Sequence, residues 1–183
     1  SRLLTTYFIE CAIFNKEFLL KNDLGYSEKF YCGEDLEFIY KALIDAEYVR
    51  FIDETLTYYV QRSGSITHSY NILKFQSISA LKQVYDYMAS KNKAKLKDLS
   101  DKMLYHIIPD NYFFNLKSCV KELRYQGYSE KKAVRKIEND LKENLPEVRE
   151  FIDDLFEAYP GSDSKIKVMI QLYRISPYVY LKF

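Results

Sequence analysis

Residues 72–88 read ILKFQSISALKQVYDYM, and this stretch decides the fold class. Large apolar side chains recur in it at steps of three and four, at Ile72, Phe75, Ile78, Leu81, Val84 and Met88. That spacing places side chains on one face of an α-helix, so the stretch predicts a long amphipathic helix. The same spacing continues as far as Pro109, where the missing backbone N–H should break or kink the helix.

The residues that follow Pro109 predict further helices with recognisable ends. Ser129 is a suitable N-cap, and Pro146 suits the first turn of another helix. Residues 162–164, Ser-Asp-Ser, should cap a last helix that ends before Pro177. Residues 71–183 are therefore predicted to form an all-α bundle of five or six helices.

Residues 1–70 have a different pattern, in which short helices and strands alternate. Helices are predicted over 12–20 and 36–46, and strands over 48–52 and 55–61, where β-branched and aromatic residues are frequent. This part carries 7 basic and 11 acidic side chains, whereas 71–183 carries 20 and 15. We therefore predict an α+β, mostly helical protein with two domains, 1–70 and 71–183.

The composition of the whole chain excludes several functional classes. With 48% hydrophobic and 29% charged residues in 183, the chain is typical of a globular protein. A net charge of +1 argues against nucleic-acid binding, and three well-separated cysteines against a disulfide framework or a zinc site. No signal-peptide pattern and no apolar run of about 18 residues is visible, so a cytoplasmic protein is expected.

Two motifs in the first part carry chemistry. Glu34 and Asp35 follow Gly33 and open a predicted helix, where acidic side chains are also favoured simply by the helix dipole. Arg62, Ser65 and His68 follow the second predicted strand, where they suit a diphosphate but also fit an ordinary polar loop. Neither motif alone decides between a site and a solvated surface.

Taken in order, these motifs resemble the C-terminal third of the catalytic domain of family 2 glycosyltransferases, enzymes of the GT-A fold. The resemblance covers about 56 of the 183 residues. It depends on Phe14-Asn15-Lys16-Glu17-Phe18-Leu19, Leu24-x-Tyr26-x-Glu28, Gly33-Glu34-Asp35-x-x-Phe38, Val49-x-x-Ile52, Leu56-x-Tyr58-Tyr59 and Arg62-x-x-Ser65-Ile66.

The resemblance implies a role for each candidate residue. Asp35 would be the general base that takes the proton of the acceptor hydroxyl, with inversion at the transferred sugar. Glu34 would orient a saccharide or glycolipid acceptor, and Arg62 and Ser65 would bind the leaving diphosphate of a nucleotide-diphosphate sugar. His68 stands where some members have a metal or diphosphate ligand. The resemblance places the reaction in bacterial cell-surface polysaccharide or glycoconjugate synthesis.

The chain departs from the family pattern in its phosphate-binding features. It contains no Asp-x-Asp motif, the motif by which the family holds Mn²⁺ or Mg²⁺, and no βαβ unit before residue 12. We therefore expect a fragment that lacks the nucleotide-binding half and is inactive alone. A divalent metal is expected in the full-length enzyme and none on this fragment.

The helical part leaves several alternatives open. Residues 165–183 are apolar, rich in tyrosine and basic, which suits peripheral contact with the inner face of the cell membrane. The alternative is a last core helix followed by a short strand. A homo-oligomer is a further alternative. A non-enzymatic helical interaction module is the rival to the enzyme as a whole.

Overall fold

The computed structural model describes residues 9, 12–52, 54–55, 57–58, 60, 69–91, 94–161 and 163–182. These residues are mostly helical, as predicted, and none of them lies in a strand. The helices are α1 (Lys16–Lys21), α2 (Glu34–Asp45), α3 (Gln76–Ser90), α4 (Lys97–Lys102), α5 (Ile108–Tyr125), α6 (Glu130–Asn144), α7 (Pro146–Glu157), α8 (Ser164–Ile175) and α9 (Pro177–Lys182).

The helical stripe that decides the fold lies in the core. A 3₁₀ turn, Ile72–Phe75, leads directly into α3, and the stripe from Phe75 to Met88 is at most 3% exposed. Apolar faces of α5 to α8 pack on it and complete one continuous core. Counting α4, the π-helical turn Met103–Ile107 and α5 as one rod, the described residues after 70 form six helical segments.

The predicted helix ends are confirmed where a side chain or a proline defines them. The Oγ of Ser129 accepts the N–H of Lys132 at 3.4 Å, and the Oδ1 of Asp163 accepts that of Ile166 at 3.0 Å. These bonds satisfy N–H groups that have no partner within the first helical turn. Pro146 opens α7, where its missing N–H costs nothing.

The stripe is interrupted earlier than Pro109. α3 ends at Ser90, and the chain resumes helical structure with a 3₁₀ turn, Ala94–Leu96. Pro109 instead lies in the first turn of α5, directly after the π-helical turn. Since Pro109 offers no N–H to that turn, the carbonyl of Tyr105 has room for another donor, and the Tyr159 hydroxyl donates to it at 2.8 Å.

An aromatic cluster fills the centre of the bundle. Its rings are Tyr112, Phe113, Phe156, Tyr173 and Tyr180, with neighbouring centroids 4.5–5.8 Å apart. The hydroxyls of Tyr112 and Tyr173 are 2.6 Å apart, and Tyr173 also donates to Glu138 at 2.8 Å. Burial raises the pKa of both tyrosines. The hydroxyls of Tyr112 and Tyr173 thus reach polar partners, whereas the buried hydroxyl of Tyr180 has none among the described residues.

The strands predicted over 48–52 and 55–61 are not confirmed. The described residues of both stretches form neither helix nor strand, and residues 56, 59 and 61 lie outside the described ranges. The apolar side chains point to solvent: Tyr48 is 77% exposed, Phe51 75% and Tyr58 85%. A strand is held by ladder hydrogen bonds to a neighbouring strand, and no described residue provides one.

The C-terminal tail differs from both sequence alternatives in detail. Its last described residues form the helix α9, not a strand. One set of its large apolar side chains is buried, with Ile170 3% exposed, Tyr173 4% and Tyr180 2%, while others such as Ile175, at 73%, are exposed. One face of the tail therefore belongs to the core of the bundle.

Candidate functional site

The candidate site lies at the N-terminus of α2, which begins at the first residue of the Glu34-Asp35 pair. Gly33 precedes it in the left-handed conformation, with φ of +98°, and its carbonyl accepts the N–H of Glu37 at 2.9 Å. The backbone of Gly33 also packs against α3, since a Cβ there would lie 2.6 Å from the Cα of Ser77. Only glycine meets both requirements.

A buried polar cluster on α3 and α5 supports this contact. The Oγ of Ser77 donates to the carbonyl of Lys74 at 2.8 Å and lies 2.6 Å from the Oδ1 of Asn111. The Nδ2 of Asn115 donates to the same two groups and to the Oγ of Ser77, at 3.0–3.1 Å. The cluster therefore fixes the start of α3 against α5, and with it the surface on which Gly33 rests.

We expect Gly33→Ala to lower the free energy of unfolding by about 2–5 kcal/mol. The positive φ costs an L-residue about 1–2 kcal/mol, and forced contact with Ser77 adds about 1–3 kcal/mol. Urea unfolding of the purified wild-type and Gly33→Ala chains measures this difference in free energy.

Two other glycines separate these causes. Gly127 has a φ of +89° but open space around it, so Gly127→Ala should cost only the conformational part. Gly25 has open space and no positive φ, and Gly25→Ala should change stability by less than about 1 kcal/mol. Equal losses at positions 33 and 127 would contradict the close packing of Gly33 on α3.

Asp35 occupies the second position of α2 and is partly exposed. Its Oδ1 accepts the N–H of Leu36 at 2.7 Å, and its Oδ2 has no hydrogen-bond partner among the described residues. Glu34 lies beside it, also partly exposed. One carboxylate oxygen of Asp35 is therefore oriented by the backbone while the other is left to accept a proton or a hydrogen bond.

An aromatic shelf stands next to the two carboxylates; we call the pair Tyr26 and Phe38 the Tyr26 shelf. Their rings stack with centroids 4.7 Å apart and planes at 15°, and Phe14 packs edge-on against Phe38 at 5.0 Å. Burial raises the pKa of the Tyr26 hydroxyl, and the charges of Asp35 and Glu34 raise it further. The exposed Tyr26 ring thus offers a flat apolar surface beside an acidic edge.

The sequence motif contains Tyr26 but gives no sign that it would stack on Phe38, twelve residues later.

The remainder of α2 is anchored in the bundle by Asp45 at its end. The hydroxyl of Tyr87 donates to Asp45, and the Nζ of Lys91 lies 2.8 Å from it. Within α2, the Oε1 of buried Glu37 pairs with Lys41 one turn later, at 2.5 Å. α2 is therefore held against the bundle at its start, through Gly33, and at its end, through Asp45, which keeps Asp35 in one place.

The structure brings together only part of the predicted site. Asp35 and Glu34 are adjacent at the start of α2, whereas Arg62, Ser65 and His68 lie in 61–68, outside the described residues. Within the described ranges, no group of three or more histidine, cysteine, aspartate or glutamate side chains is placed to hold a metal ion. No described helix has the length and apolar character needed to cross a membrane.

No protein-family model, no curated protein and no solved structure matches this chain. The case for a function therefore depends on the residues of the chain and on their arrangement.

Proposed function

We propose that this chain supplies the acceptor side of an inverting glycosyltransferase, which transfers a sugar from a nucleotide-diphosphate sugar to a hydroxyl acceptor. The observation that carries the proposal is the position of Asp35. Its carboxylate is accessible, has one unpaired oxygen among the described residues, and stands on a helix whose start is fixed by the contact of Gly33 with Ser77.

The geometry suits a general base. The acceptor hydroxyl becomes acidic only as the new glycosidic bond forms, so a carboxylate within about 2.6–3.2 Å can take its proton at that moment. Oδ2 of Asp35 is the atom available for this step, and the backbone N–H on Oδ1 fixes its direction. The Tyr26 shelf would receive the apolar face of an acceptor sugar, with Glu34 bonding its hydroxyls.

The donor side of the proposal rests on residues 61–68. Arg62 and Ser65 would stabilise the charge that develops on the leaving diphosphate, and His68 would add a ligand there. The described carboxylates do not form a set of ligands for Mn²⁺ or Mg²⁺, so we assign no step of the reaction to a metal held by them. Bacterial cell-surface polysaccharide synthesis at the inner face of the membrane is the setting we propose.

The exposed apolar side chains among the described residues of 48–60 support a second candidate, a non-enzymatic interaction module. Phe51, Ile52 and Val60 are 75%, 65% and 68% exposed. Single exposed apolar side chains are ordinary on a protein surface, whereas several within one short segment are more typical of an interaction surface. The same surface is expected in the enzyme if further strands of a sheet cover it. The two candidates therefore differ in chemistry, and a transfer assay separates them.

The test uses the natural polypeptide that contains these 183 residues, a panel of nucleotide-diphosphate sugars, and saccharide and glycolipid acceptors. We expect transfer with inverted anomeric configuration, identified by NMR of the product. Retention of configuration would contradict Asp35 as the base, and no transfer to any acceptor would favour the interaction module. Calorimetry on the 183 residues alone should find no nucleotide sugar bound at micromolar affinity.

A further inference from the structure

Several basic side chains lie close to the short helix α9. Its Tyr180 is buried against Phe113 of α5, with ring centroids 4.5 Å apart, and the Nζ of Lys117 lies 4.9 Å from the Tyr180 centroid. Lys182, also on α9, pairs with Glu130 at 3.1 Å, and Arg124 of α5 lies 3.8 Å from the same carboxylate. α9 therefore brings basic residues of α5 and its own lysine onto one surface.

A cavity at the start of α9 adds two more cations on the side of Lys182, whose Nζ lies 5.3 Å from the centroid of the Tyr178 ring. The cavity has a volume of about 270 Å³, and Lys131 and Arg135 of α6 line it together with Tyr178 of α9. The acidic side chain in its wall, Glu138, is already engaged by Arg149 and by Tyr173. The cavity thus presents cations and an aromatic ring to solvent.

The outer face of α5 continues this surface. Phe114, Lys117, Lys121 and Tyr125 follow one another at steps of three and four, so they share one helix face. Phe114 is 70% exposed and Tyr125 75%. Aromatic rings that point into solvent between lysines are costly unless a partly apolar partner covers them.

We define the α9 basic face by its six cations, Lys117, Lys121, Arg124, Lys131, Arg135 and Lys182. The acidic side chains close to it are few. Glu130 is paired with Arg124 and Lys182, Glu138 is paired with Arg149, and Asp110 lies one turn before Phe114 near Tyr180. The face therefore keeps a net positive charge, although the whole chain is close to neutral.

We propose that the α9 basic face binds an anionic lipid surface. Lys and Arg side chains hold their charges at the level of lipid headgroups while their stems and nearby aromatic rings enter the apolar boundary. Val179 of α9 and Ile175 at the end of α8 are also exposed, 38% and 73%, and add aliphatic contact. The apolar face of the tail remains in the core, so the protein rests on the membrane and does not insert α8.

An anionic membrane fits this surface better than a nucleic acid. The rings of Phe114 and Tyr125 could stack on a base or enter a lipid boundary, whereas the exposed aliphatic side chains of Ile175 and Val179 match a lipid boundary and offer a base nothing to stack on. A chain of net charge +1 also lacks the broad positive field that follows a phosphate backbone. RNA binding is therefore the competing outcome of the test.

The experiment measures co-sedimentation of the 183-residue chain with two kinds of vesicle. One contains phosphatidylcholine alone, and in the other about one lipid in three is the anionic phosphatidylglycerol. Binding is expected only to the anionic vesicles and should decrease as salt is raised. Lys117→Gln with Lys121→Gln should weaken it about thirtyfold, since each lysine near an anionic surface contributes about a factor of five.

Matched variants make the result specific. Lys97→Gln with Lys102→Gln changes the charge equally on α4, where both lysines are exposed, and should leave vesicle binding unchanged. Phe114→Ser should weaken binding, whereas Ile13→Ser, at a side chain that is 96% exposed elsewhere, should not. Equal loss in both lysine pairs, binding to neutral vesicles, or binding of single-stranded RNA in place of vesicles would overturn the proposal.

Discussion

Replacing Asp35 by asparagine is expected to lower the rate of sugar transfer by about 10²- to 10⁴-fold, the usual contribution of a general base. Asparagine keeps the size of the side chain and an oxygen that can accept the N–H of Leu36, as Oδ1 does at 2.7 Å. It cannot take a proton at pH 7. The loss should therefore appear in kcat, with little change in the KM of the donor, when the natural polypeptide is assayed.

Asp98 provides a matched control for this substitution. It holds the same second position in α4 that Asp35 holds in α2, and it is exposed. Each aspartate stabilises its helix start by about 0.3–1 kcal/mol, so both asparagine variants should lose similar stability. Only the variant at position 35 should lose transfer. Equal activity of the two variants would remove Asp35 from the chemistry.

Local sequence signals predicted most of the helical part. The stripe from Phe75 to Met88, the caps Ser129 and Asp163, and Pro146 each act within one or two turns, so their pattern is visible in the chain itself. The strands predicted over 48–52 and 55–61 are not confirmed by the described residues of those stretches. β-propensity says that a segment suits a pleated surface, but a strand exists only where a second strand pairs with it.

The candidate site also combines a feature that the local sequence predicts with contacts that it does not predict. The start of α2 at Glu34 follows from Gly33 and two acidic residues, which is a local signal. The Tyr26 shelf depends on a contact between Tyr26 and Phe38, and the close approach of Gly33 to Ser77 spans 44 positions. Contacts of that kind are set by how helices pack, and a single sequence does not reveal them.

The division of charge at residue 70 has a structural counterpart in the second part. Its excess of basic residues is concentrated where α5, α6 and α9 meet, and the ion pairs near α9 neutralise only part of it. The acidic excess of the first part includes Glu34 and Asp35. The predicted boundary itself stays a prediction, and α2 nevertheless packs on α3 through Leu36, Tyr40 and Ile44.

The largest stability effect is expected for Phe113→Ala, at about 3–5 kcal/mol. Phe113 is 1% exposed and its ring contacts four others: it stacks on Phe156 at 5.3 Å and meets Tyr180 at 4.5 Å, with Tyr112 and Tyr173 at 5.7 Å. Truncation removes these contacts and leaves a cavity that rigid rings cannot fill. Calorimetric unfolding should shift Tm down by roughly 6–20 °C.

The adjacent residue gives the control, because Phe114 has the same side chain and is 70% exposed. Phe114→Ala removes the same atoms from solvent-facing surface, so the free energy of unfolding should change by less than about 0.5 kcal/mol. A large loss at both positions would mean that Phe114 is covered in solution, for example by a second copy of the chain. A small loss at both would mean that α5 does not present Phe113 to the aromatic cluster.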